Sequence, residues 1–343
     1  MTQILLTEEE RIQALERFGY SKAEARFLLI AALHSGYFLR RQAAEFLGDP
    51  GRGSVAALVE KIFENGHATA AAYDRHTHLY HLCTRPFYAA IGQEDNRNRR
   101  MRECSTIKNK LMALDFVLAR PDAHFLATEQ EKLQHFLGTL NLSESDLPAR
   151  TYGAASAVPT KRYFVEKFPI FVPPNDGQVD STSFCFVDEG LTTPSHFETF
   201  LEHYGRLFSR LSRFNLIYVS ARPAPFRWAE SVFQKQLTKW MGDTYPRDPM
   251  IKRLTSYFAL RRSYEAKDFE ALDRTKLLQL RNGQAEFSHP KYAELYEVWK
   301  AGGDIAVRQI LSPKSLNKPT PSVSFSTFLL EHNYDFFGTL TAI

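Results

Sequence analysis

Only three cysteines occur in 343 residues, Cys83, Cys104 and Cys185. An odd, scattered set excludes a disulfide framework and fits a reducing compartment. No CxxC pair is present, which removes the closed zinc patterns. No apolar run approaches the roughly eighteen residues needed to cross a bilayer. The start Met1-Thr2-Gln3-Ile4-Leu5-Leu6 leads into Glu8-Glu9-Glu10, with no basic region ahead of an apolar core. These absences predict a soluble, cytoplasmic protein with no membrane partner. Enzyme signatures are missing too: GxxxxGK(S/T), a strand followed by GxGxxG, GxSxG and HExxH do not occur. On that basis no catalytic residue, metal or cofactor is expected.

What is there is apolar mass with a mild positive charge. Hydrophobic residues make up 44% of the chain and Phe alone occurs 27 times, enough for sizeable cores. The length exceeds one ordinary core and suggests two domains with a small extension. A net charge of +4 admits nucleic acid as a partner. Helix and strand signals together predict a mixed α+β fold in three stretches: 1–93, a linker helix and loop over 94–160, and an α/β domain over 161–343.

The first stretch is the most informative. Thr7-Glu8-Glu9-Glu10 and Ser21-Lys22-Ala23-Glu24 are capping boxes that each open a helix, and Gly19 and Gly36 close them. Phe38 to Leu47 reads as a third helix, broken by Gly48-Asp49-Pro50-Gly51. Ser54 caps a fourth, whose apolar side is Val55, Leu58, Val59 and Ile62. Ala68, Ala70 and Ala72 alternate along a strand, Asp74-Arg75-His76-Thr77 makes a tip, and Leu79 to Leu82 returns. Four helices followed by a hairpin predict a winged helix-turn-helix, the layout that places one helix in a DNA major groove.

Burying that apolar side turns Ser54, Ala57 and Lys61 outward on the recognition helix, with Arg52 just before it. Arg52 suits guanine, Ala57 a thymine methyl, and Ser54 a base or phosphate. Arg40 and Arg41 open the preceding helix, and Arg75 and His76 occupy the wing tip. Arg97, Arg99, Arg100 and Arg102 form a basic run that suits phosphate beside the wing. His67, His76, His78, His81 and Cys83 crowd the hairpin but match no zinc spacing, and read as surface residues of strands.

Residues 97–119 are expected as one helix, ended by Pro121. Cys104, Ile107, Leu111, Leu114 and Leu118 make a continuous apolar stripe on it. That stripe suits either a homodimer or packing on its own chain. Residues 140–160 read as loop. Beyond them, strands at 163–172, 182–187 and 214–219, helices at 194–213 and 225–241, a helical stretch at 249–311 and a strand at 323–330 are expected.

Phe186-Val187-Asp188-Glu189-Gly190-Leu191-Thr192, a helix with Tyr204, and the strand Leu216 to Val219 follow the winged helix. This arrangement resembles the replication-relaxation family of plasmids and mobile elements. The resemblance implies a second domain similar to the restriction-endonuclease fold. A working nuclease of that fold needs acids and an acid-x-Lys pair around Mg²⁺. Phe186 stands where the family motif would place an acid, and no Lys follows at the required spacing. Asp188 and Glu189 are candidate acids, and Asp180 and Glu166 are further ones. A degenerate, non-cutting version is therefore expected. The leading expectation is sequence-specific binding of double-stranded DNA, as a transcriptional regulator or as a replication or transfer accessory protein of a mobile element. A metal-dependent nuclease and a protein-interaction scaffold are the alternatives.

Overall fold

The computed structural model describes residues 6–49, 53–74, 77–153, 159–166, 168–174, 181–190, 194–242, 249–269, 272–311, 322–334 and 341–342. Helices and strands are mixed along the chain. Thr7 and Ser21 open α1 (Glu8–Glu16) and α2 (Lys22–His34). In each case the hydroxyl accepts an N–H three residues on, and that residue's carboxylate accepts the cap's own N–H. Gly36 turns the chain at φ +82°. A Cβ there would lie 2.5 Å from the Asn98 carbonyl oxygen, so neither the backbone angle nor the space admits a side chain.

Tyr37–Leu39 then forms β1, where the sequence suggested the start of a helix. All three residues are buried, and their backbone pairs with Leu79–His81. Three buried residues in a row carry no period, so helix and strand look alike there. α3 (Arg40–Leu47) follows, with Gln42 Oε1 accepting the Leu39 N–H, and left-handed Gly48 ends it. Next come α4 (Gly53–Glu64), β2 (Ala68–Asp74) and β3 (Thr77–Leu82). Phe27, Leu28, Val55, Leu58, Ile62 and Tyr80 share one buried core.

After α5 (Arg85–Ala90), the expected helix over 97–119 is two pieces. Arg97–Arg99 is a single 3-10 turn, and α6 (Cys104–Leu118) starts only after an extended break. The break has a local cause. Asn98 is buried and its amide donates to the carbonyls of Ala32 and Leu33, which pins the turn to the end of α2. Ile107, Leu111, Met112, Leu114, Phe116 and Val117 of α6 are all buried within the chain. The stripe Ile107, Leu111 and Leu114 is thus covered by its own fold, the second of the two settings expected for it.

β4 (His124–Phe125) and α7 (Glu129–Leu133), which continues as a π turn over Gln134–Thr139, come next. The stretch read as loop holds β5 (Ala149–Tyr152), which pairs antiparallel with β6 (Thr160–Tyr163), a strand that begins where that stretch ends. The strand read over 163–172 is only β7 (Ile170–Val172). β8 (Thr182–Asp188), α8 (Pro194–Arg210), β9 (Arg213–Ser220) and α9 (Phe226–Gly242) complete the run. Three helices follow, α10 (Pro249–Glu265), α11 (Arg274–Glu286) and α12 (Pro290–Leu311), then β10 (Ser322–Leu329) and β11 (Thr341–Ala342).

β10-β9-β8-β7-β4 form a five-stranded sheet, parallel from β10 to β8 and antiparallel beyond. Phe184 and Phe186 of β8 meet Phe197, Phe200 and Phe208 of α8 on one face. Phe116 of α6 meets Phe171 and Phe328 on the other. The second sheet runs β1-β3-β2-β11, so the C-terminal strand lies along the edge of β2.

Contacts divide the chain into Met1–Gln236 with Ser322–Ile343, and Leu237–Pro321. Those borders differ from the ones suggested after residues 93 and 160. The second unit has its own core of Leu254, Phe258, Phe287, Tyr296 and Val307. No helix among the described residues is long and apolar enough to cross a membrane.

Candidate nucleic-acid interface

α4 buries Val55, Leu58, Val59 and Ile62, as the spacing predicts. Its first N–H groups are satisfied from outside the helix. Asp49 Oδ2 accepts from Ser54 N at 2.8 Å and from Val55 N at 3.3 Å, so Asp49 does the work assigned to Ser54. Ser54 and Ala57 are exposed on the outer face, together with Glu60, Glu64 and Phe63, the last 44% exposed.

Lys61 does not join that face. Its Nζ lies 2.8 Å from Oε2 and 3.1 Å from Oε1 of Glu24, the buried capping residue of α2. Burial pushes the Glu24 carboxyl up, but the Lys61 ammonium and the Ser21 N–H outweigh it and hold the group below the usual carboxylate range. A lysine held this way ties α4 to α2. No local pattern announces the pair, because the two residues are distant in sequence.

The arginines opening α3 part company. Arg40 is exposed, and its Nε donates to the Tyr80 hydroxyl at 2.9 Å, which holds the guanidinium beside β3. Arg41 turns inward. Its Nη1 and Nη2 fork onto the two carboxylate oxygens of Asp115 at 3.0 and 2.7 Å. Tyr334 and Gln42 complete this knot, the Tyr334 hydroxyl donating to Asp115 and the Gln42 amide to both Asp115 and the Leu111 carbonyl. Arg41 is therefore a joint between α3, α6 and the segment after β10. Arg52, Arg75 and His76 lie outside the described residues.

The basic run is dispersed rather than arrayed. The Arg97 guanidinium lies over the Tyr152 ring at 5.2 Å. Arg99 donates to the Glu94 carbonyl, and Arg102 to the Arg97 carbonyl at 3.3 Å. Arg100 is exposed and makes no ion pair among the described residues. The run also sits at the base of the hairpin, where the His81 Nε2–H donates to the Asn98 carbonyl at 3.0 Å. From His81 to Thr77 is four strand residues, roughly 13 Å. Asn98 of the run therefore sits at the end of β3 away from Thr77.

The hairpin histidines are largely interior, contrary to the surface reading. His67 is buried against Phe18 and hydrogen-bonded to the Tyr20 hydroxyl at 2.8 Å. His81 stacks on Tyr37 with ring centroids 4.1 Å apart. Burial lowers the pKa of both. His78 alone among the described hairpin histidines is exposed.

The acids of the large sheet are occupied by neighbours. Asp188 accepts from the Tyr218 hydroxyl at 2.7 Å and from Gly190 N at 2.8 Å. Glu189 accepts from the Asn109 amide at 3.2 Å. Phe186 is fully buried in the aromatic layer beneath α8. Glu166 pairs with Arg150 and with His203, and Asp180 lies outside the described residues. Among the described residues no three His, Cys, Asp or Glu side chains converge as metal ligands would. No protein-family model, curated protein or solved structure matches this chain.

Proposed function

We propose that residues 22–82 act as a winged helix-turn-helix that binds double-stranded DNA. The observation that supports this reading is the order α2–β1–α3–α4–β2–β3, with the strands arranged β1-β3-β2 and left-handed Gly48 ending α3 ahead of α4. In this reading α4 enters the major groove through Ser54 and Ala57, and Arg40 meets phosphate at the flank. Arg52, Arg75 and His76 supply the remaining contacts. The role is that of a transcriptional regulator or of a replication or transfer accessory protein of a mobile element, working as a homodimer on an inverted repeat. The large sheet serves as a nuclease-like scaffold without cutting chemistry, since Asp188 and Glu189 are committed to Tyr218, Gly190 and Asn109.

One observation favours a second reading. Glu60, Phe63 and Glu64 share the exposed side of α4, and an apolar ring between carboxylates suits a protein surface better than phosphate. Selection of bound fragments from random duplex DNA, followed by titration across salt, separates the two. DNA binding gives an enriched motif and an affinity falling steeply with salt. No retained duplex at low salt gives the face of α4 to a protein partner instead.

A further inference from the structure

A cavity of about 410 Å³ opens in the first unit between the last turn of α2, the loop over 92–97, α7 and the segment after β6. Its volume falls in the range of small-molecule sites. Lys132 lines it and is only 5% exposed. Among the described residues its ammonium has no hydrogen bond and no ion pair. The Phe164 ring lies against it, 5.7 Å from Nζ to the centroid. An ammonium so placed carries a desolvation cost that the ring face and the carboxylates further off repay only in part.

The nearby carboxylates are engaged elsewhere. Glu131 accepts from Arg11 and from the N–H groups of Ala127 and Thr128. Glu129 accepts from Arg162 and from Tyr163 N, and Glu166 from Arg150 and His203. They attract Lys132 from a distance, yet burial still brings its ammonium down to about 8. A second cation, Arg97, also lines the cavity and makes no ion pair among the described residues, its guanidinium resting on Tyr152. Leu126, Phe164 and Phe168 give part of the wall its apolar surface, and Glu94, Asp95, Glu129 and Arg162 also line the cavity. The cavity thus sets a buried ammonium without a direct counter-ion beside the rings of Phe164 and Phe168.

We propose that this cavity binds a small organic anion, with its carboxylate or phosphate on Lys132 and an apolar or aromatic body against Phe164 and Phe168. A single anionic group would supply the counter-charge that the fold withholds, and the rings would supply the contact area. A cation is disfavoured by Lys132 and Arg97. A neutral ligand leaves the buried ammonium as costly as before. This assignment is independent of the DNA reading, because it concerns a different surface and is measured without nucleic acid.

The test uses the full chain and four probes of one size: benzoate, phenyl phosphate, benzamide and benzylamine. Calorimetric titration should show saturable binding of benzoate or phenyl phosphate with a dissociation constant below about 1 mM. Benzamide and benzylamine should bind at least about tenfold more weakly. Lys132→Met should lose at least about tenfold of the anion affinity, and removal of an unpaired buried charge should leave the fold intact. The wild-type comparison of benzoate with benzamide stands even if that variant misfolds. Absence of saturable binding by both anions, equal binding of benzoate and benzamide, or full affinity in a folded Lys132→Met protein would overturn the assignment. The carboxylate and phosphate probes also tell the two anion types apart.

Discussion

Lys61 Nζ and Glu24 Oε2, 2.8 Å apart, tie the outer helix α4 to the first capped turn of α2. The pair turns a residue of the expected reading face into part of the frame. Lys61→Ala should therefore lower stability by about 1 kcal/mol while leaving DNA sequence preference unchanged. Urea unfolding and a competition binding assay check the two halves. Loss of preference with unchanged stability would return Lys61 to the reading face.

The same pair makes a pH prediction. The folded Glu24 carboxyl lies below its ordinary value, so its contribution is fully present above the unfolded carboxylate range near 4.3. It is lost as pH falls through the lower folded value. Wild type should therefore lose stability relative to Lys61→Ala between about pH 5 and pH 3. Parallel stability curves for the two proteins across that window would contradict this.

Arg41, Asp115, Gln42 and Tyr334 form one hydrogen-bonded knot, with Asp115 largely buried. Asp115→Ala leaves an inward guanidinium without its carboxylate. It should cost about 2–4 kcal/mol, whereas Tyr334→Phe should cost about 1 kcal/mol. Denaturant midpoints of the two variants measure the difference. Near-equal losses would mean that the tyrosine, not the fork, governs the joint.

Leu111 is fully buried in α6, so Leu111→Ala should destabilise the chain by about 2–5 kcal/mol. A homodimer, where it forms, uses another surface and should survive the substitution at temperatures where the variant stays folded. Light scattering at micromolar concentration reads this directly. A folded Leu111→Ala monomer beside a wild-type dimer would place the interface on α6 after all.

Plasmid DNA incubated with Mg²⁺ or Mn²⁺ should remain uncut, because Asp188 and Glu189 already hold Tyr218, Gly190 and Asn109. Cleavage that disappears in Asp188→Ala would reverse this reading of the sheet.

What could be read in the sequence was local. The capping boxes at Thr7–Glu10 and Ser21–Glu24 and the apolar side of α4 are patterns complete within one or two turns, and the structure carries them. β1 was hidden because three consecutive buried residues have no period. The break at Asn98 was hidden because its cause lies in the carbonyls of Ala32 and Leu33, more than sixty positions away. The fates of Lys61 and Arg41 depend on Glu24, Asp115 and Tyr334, which no spacing rule joins to them. Charge alone therefore overstated how many cations face outward. The cavity around Lys132 combines segments from four parts of the chain and left no mark in any of them.

β10 pairs with β9 along its whole length, yet the ribosome reaches Ser322 only after the helical insert that follows Ser220. At about 5–20 residues per second, roughly 5–20 s separate the two strands during synthesis. For that interval β9 has a bare edge, the kind of surface that recruits a neighbouring chain. The large sheet is thus a late product of translation, and slow codons or a truncation within 237–321 should show up as aggregation of nascent protein before any loss of function is measured.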